Sequence, residues 1–113
     1  MDEKLESKLI EIQQRASEIT QQMDDPANMN DYVRFSELNK QRNEIEPVMN
    51  KYHELKQAQA ELAGNEELAA GNDAEMAEMA QSEIGPLQAK LDKLTLDIRN
   101  LLVPKDPRDE RDV

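Results

Sequence analysis

At 113 residues, with a formal net charge of −11, 35% charged residues and 3% aromatics, the chain has room for one domain and too few bulky side chains for a compact globular core. It has no cysteine, which excludes disulfides and thiolate chemistry, and a single histidine, which leaves the usual zinc ligand set incomplete. No apolar run exceeds three residues, against the roughly 20 of a membrane span, and the start MDEKLESKL lacks the basic and apolar regions of a signal peptide, so a soluble, cytoplasmic protein is expected.

High charge with modest apolar content also describes chains that stay disordered. Periodicity decides for helices. In the first segment Leu5, Leu9, Ile12, Ala16, Ile19 and Met23 alternate spacings of four and three, a narrow stripe along one helix face. The stripe stops at DDPANMND, where Pro26 among Asp and Asn residues predicts a turn, with Asn30 as the N-cap of the next helix.

The second segment carries Phe35, Leu38, Ile45, Met49, Tyr52, Leu55 and Leu62, broken at Arg42 and Gln59. Pro47 lies inside it and removes one backbone hydrogen bond, but the stripe resumes in phase, so a kink is expected there. Gly64 and Gly71 read as helix stops, with at most one short helical turn between them. The third segment, Met76, Ala80, Ile84, Leu87, Leu91, Leu94, Ile98 and Leu101, is the most regular, and Gly85-Pro86 interrupts its backbone without shifting its phase. A helix from Asp73 to Leu102 spans about 45 Å. Three stripes joined by short connections predict an all-α fold: an elongated, antiparallel, three-helix, coiled-coil-like bundle with proline kinks over residues 1–103.

Charge is uneven along the chain. Residues 61–83 hold seven acidic side chains and no basic one, whereas residues 34–56 hold five Lys or Arg against four acidic residues, plus His53. Phosphate affinity comes from Lys and Arg, so a contact with RNA would use the second of these stretches, through Arg34, Lys40 and Arg42. His53 reads as a surface residue, and the carboxylate pairs Asp24–Asp25 and Glu66–Glu67 read as a turn and a helix start rather than as acid–base machinery. No Gly-rich phosphate loop or nucleophile constellation is present. Met23, Met49 and Met76 fall on the stripes and read as core filler. No cofactor, metal site or enzyme activity is expected, and neither DNA, membrane nor a small-molecule ligand is an expected partner.

The ending LLVPKDPRDERDV carries a resemblance. A Leu-rich helix end running into Pro104, Lys105, Asp106 and Pro107, then Asp109 and Glu110, is similar to the segment that closes the N-terminal domain of the bacterial class I peptide chain release factors. It resembles release factor 1 rather than its paralogue release factor 2. Upstream, Asp25, Pro26, Arg34, Phe35, Leu38 and Lys40 resemble that family's first turn and second-helix start. Glu46, Pro47, Val48 and Tyr52 resemble its proline-containing helix, and Met76, Met79, Ala80 and Glu83 its last long helix. Gly85-Pro86 and Gln41 depart from the pattern.

The resemblance implies a helical N-terminal domain over residues 1–103 and a hinge over 104–113 leading into a following domain. It further implies a parent protein that terminates translation at UAA and UAG codons. This domain would reach toward the base of the ribosomal stalk, near protein L11 and its ribosomal RNA. The family's Gly-Gly-Gln and Pro-x-Thr motifs, which serve peptide release and codon reading, do not occur in these residues. The chain alone is therefore expected to release no peptide. A free-standing coiled-coil adaptor or prefoldin-like chaperone is the alternative, and it explains the stripes but not the ending.

Overall fold

The computed structural model describes residues 2–103. Helix α1 covers Glu3–Asp24, α2 Pro26–Met29, α3 Tyr32–Ala69 and α4 Ala74–Leu102. Three are long, α2 is a single turn, and no strand occurs among the described residues. The all-α, elongated bundle expected from the stripes is what forms. The hinge residues Pro104, Lys105, Asp106 and Pro107 lie outside the described residues.

Every helix begins on an aspartate whose carboxylate accepts backbone N–H groups that the helix leaves unpaired. Asp2 accepts from Lys4, Asp25 from Ala27, Asp31 from Arg34, and Asp73 from both Glu75 and Met76, all at 3.0–3.1 Å. Asp25 with Pro26 behind it turns the expected loop into α2, because proline is pre-set for a first helical position. The cap of α3 is Asp31 and not Asn30. Asn30 holds helical angles (φ −86°, ψ −10°) as the end of α2, whereas Asp31 has the extended backbone an N-cap requires (φ −100°, ψ 100°).

Gly64 does not stop α3, which continues to Ala69. A glycine inside a helix costs about 1 kcal/mol relative to alanine, too little to end a helix whose neighbours are strong helix formers. Asn65 adds a side-chain bond to the Glu61 carbonyl at 3.0 Å. The chain turns at Gly71 instead, where a Cβ would sit a tight 3.2 Å from the Leu68 carbonyl oxygen, which would have to give by a few tenths of an ångström.

Both interior prolines are accommodated without a break. Pro47 and Pro86 lie on exposed faces, as do Asn43 and Ser82, whose carbonyls lose their usual partner, so water can replace the missing donor. At the second site the residue before proline is Gly85, which has no Cβ to clash with the proline ring in a helical conformation.

The helices pack in a stagger around α3. One core joins Leu5 and Leu9 of α1, Val48, Tyr52, Leu55 and Ala58 of α3, and Leu94 and Ile98 of α4. A second joins Ile19 and Met23 of α1 to Leu38, with Phe35 and Ile45 against them. Thus α1 lies antiparallel to the first half of α3 and α4 antiparallel to the second, and all three meet only near residues 48–58. The radius of gyration is 19.5 Å and the extents are 61 × 42 × 23 Å. A compact chain of this length would have a radius of gyration of about 13 Å.

The stripes match this packing closely. Val48 and Ala58 join the second stripe, and at the ends of the third Met76 and Leu101 stay exposed while Leu102 packs on the core in place of Leu101. Core members of α3 rotate around it from Phe35 to Ala58 by well over a right angle, counted at 3.6 residues per turn. The first half faces one partner and the second half another.

Candidate functional site

The basic stretch expected to meet RNA lies on α3, and the fold deals differently with each of its cations. Arg34 Nη2 donates to Gln22 Oε1 of α1 at 3.1 Å, so this side chain ties two helices while remaining exposed. Lys40 and Arg42 are exposed and take part in no hydrogen bond or ion pair among the described residues. Lys51 lies 3.7 Å from Glu54 and 3.8 Å from Asp97 of α4, and Lys56 sits 5.0 Å from the centroid of the Tyr52 ring. His53 is exposed, with Gln57 at 3.4 Å.

Helix geometry keeps the three candidate residues from forming one patch. Lys40 and Arg42 are two positions apart, about 200° around the axis and so on opposite faces; Arg34 and Arg42 are about 80° apart and separated by about 12 Å of rise. Tertiary packing adds a cation the sequence reading missed. Arg15 of α1 donates from Nη2 to Gln41 Oε1 at 2.7 Å, next to Lys40 and Arg42, while its Nη1 lies 3.6 Å from Glu18. Only the antiparallel register of α1 on α3 brings it there. At the α2–α3 corner Met29, Tyr32 and Val33 are also exposed, Tyr32 at 84%.

The acidic residues 61–83 occupy the far end of α3 and the start of α4. Along α3, Glu61 lies about 28 Å beyond Arg42. Negative charge is thereby held away from Arg34, Lys40 and Arg42, though Glu61 follows Lys56 by only five residues. Between α3 and α4 a cleft of about 420 Å³ is lined by Leu55, Gln59, Leu91, Asp92, Thr95, Leu96 and Arg99.

No buried polar or charged side chain occurs among the described residues. No group of three or more His, Cys, Asp or Glu side chains among them is placed to hold a metal, and no helix among them is long and apolar enough to cross a membrane. What the surface offers is shape and charge.

Fold and surface together define a small all-α bundle with its charged side chains on the exterior. The chain belongs to the PCRF domain family, whose model matches residues 12–113. It is 36% identical over 106 residues to "Peptide chain release factor 1" of Geobacter sulfurreducens, covering 94% of this chain and 29% of that protein. It is 34% identical over 108 residues to the protein of the same name from Lactobacillus delbrueckii subsp. bulgaricus, covering 95% and 30%. The protein of that name from Acidobacterium capsulatum is 34% identical over 106 residues, covering 94% and 30%. The chain thus spans about 30% of the length of these relatives. No solved structure matches it.

Proposed function

We propose that this chain is the N-terminal helical domain of a cytoplasmic translation termination factor acting at UAA and UAG codons. The observation that carries the reading is the family match over residues 12–113 together with relatives named peptide chain release factor 1. In this reading residues 1–103 form the docking domain, and 104–113, with Pro104, Lys105, Asp106 and Pro107, link it to a following domain. The domain docks near the ribosomal stalk base, against protein L11 and the associated ribosomal RNA. Peptide release and codon reading belong to the remainder of the protein.

Physical features support the division of labour. A core without polar groups and a staggered bundle on one long spine make a rigid arm. Lys40 and Arg42, unpaired among the described residues, supply phosphate contacts from opposite faces of α3, Arg15 adds a charge beside Gln41, and the exposed Tyr32 ring at the α2–α3 corner offers a separate stacking surface. The free-standing adaptor gains nothing from the relatives the chain matches.

The test uses a full-length protein carrying this domain and stalled termination complexes. Substituting Arg34, Lys40 and Arg42 by Ala is expected to weaken complex binding and to flatten its salt dependence, because each phosphate contact contributes to the salt slope. Equal or greater loss on neutralising Glu75 and Glu78 would overturn the proposed contact. Residues 1–113 alone are expected to release no peptide at any stop codon, and stop-codon-dependent release by them would overturn the division of labour.

A further inference from the structure

The α3–α4 hairpin end combines two features that neither the core nor the basic stretch uses. Leu68, Met76 and Met79 remain 43%, 44% and 66% exposed. Leu68 and Met76 line one shallow depression together with Glu67 and Asp73, and Met79 lines another with Glu75 and Glu78. Met76 and Met79 are three residues apart on α4 and therefore neighbours on its surface, which joins the two depressions into one apolar strip.

Around this strip the charge has a single sign. Residues 61–83 contribute seven carboxylates and no Lys, Arg or His. None of the seven takes part in an ion pair among the described residues. Of these, Asp73 caps α4 and Glu75 lies in its first turn, where negative charge favours the helix, while the other five make no ion pair among the described residues. Methionine adapts to irregular apolar partners because its side chain is unbranched and polarizable. Uncompensated negative charge around it selects partners of opposite sign and speeds their approach.

We propose that the α3–α4 hairpin end docks a basic amphipathic segment of a partner protein, which sets apolar side chains on Leu68, Met76 and Met79 and lysines or arginines on the surrounding carboxylates. Charge complementarity decides for this occupant. RNA and anionic lipid carry the same sign as the hairpin and are repelled. A second copy of the chain docking through the same face would bring seven further carboxylates to the strip. The proposal concerns the opposite end of α3 from the ribosome contact and does not depend on it.

The 113-residue chain can be titrated with a synthetic helical peptide of about 14 residues, four turns of alternating leucine and lysine faces, while amide NMR shifts are followed. A control peptide carries glutamate in place of lysine. Shifts are expected to concentrate in residues 64–83, to vanish with the control, and to weaken as NaCl rises from about 50 to about 500 mM. Met76→Ser with Met79→Ser should weaken binding about tenfold without changing the urea melt, since both side chains lie outside the core. Shifts spread over the whole acidic surface, no shifts at all, equal binding by the control, or unchanged affinity in the methionine variant would each overturn the proposal. So would tighter binding of a short RNA duplex at this end.

Discussion

Ile98→Ala probes the place where the three long helices meet. Ile98 is fully buried on α4, in the core it shares with Leu9 and Leu55, and it lines none of the clefts described above. The substitution removes three carbons, worth about 0.8 kcal/mol each in lost burial, or about 2.4 kcal/mol together. A cavity that cannot collapse adds to this and brings the expected cost to about 3–4 kcal/mol. Leu55→Ala removes as many carbons, but Leu55 borders the open α3–α4 cleft, where water and neighbouring side chains can move in. Its cost should fall nearer 2 kcal/mol, the lower end for such changes. Urea unfolding followed by far-ultraviolet circular dichroism measures both. Double variants then test the stagger. Ile98→Ala with Leu9→Ala, which share a core, should couple by more than about 0.5 kcal/mol, whereas Ile98→Ala with Ile19→Ala should add within about that amount. Additivity in the first pair and coupling in the second would refute the staggered arrangement. A cost below about 1 kcal/mol for Ile98→Ala would refute the three-helix junction itself, because no fully buried residue of this size should be so cheap.

Other outcomes follow from the same structure. Asp31→Ala should cost about 1 kcal/mol by removing the cap of α3, while Asn30→Ala should change stability little, as the same melts will show. Gly64→Ala should raise stability by about 0.5–1 kcal/mol, because a Cβ there meets nothing within 4 Å. Gly85→Ala finds the same open space yet should gain less, since the new Cβ faces the ring of Pro86. Lys51→Ala should cost under about 1 kcal/mol in the same melts at low salt, because its pairs with Glu54 and Asp97 are solvent-accessible.

Much of this protein is set by local rules and can be read directly. The alternation of fours and threes from Leu5 to Met23 and from Ala80 to Ile98 fixes both helices and their buried faces, since a helix packed along one partner repeats its contacts every third or fourth residue. The separation of the seven carboxylates of 61–83 from Arg34, Lys40 and Arg42 is likewise a matter of chain position, because a continuous helix turns sequence distance into physical distance. The Pro-Lys-Asp-Pro ending and the upstream motifs carry the family resemblance without any coordinates.

Competition between neighbours, and between helices, decides the rest. Asn30 and Asp31 both suit an N-cap, and the choice fell to the backbone that α2 imposes on Asn30. Gly64 looks like a stop until the helix formers around it carry α3 past it. The α3 stripe reads as one face that resumes in phase beyond Pro47, whereas packing makes the helix one spine serving two partners in succession, so that three helices meet only near residues 48–58. That register placed Arg15 of α1 beside Gln41 and left Lys40 and Arg42 on opposite faces. Periodicity says which face of a helix is buried; which partner buries it, and at what stagger, depends on contacts between residues far apart in the chain, and only tertiary packing settles those.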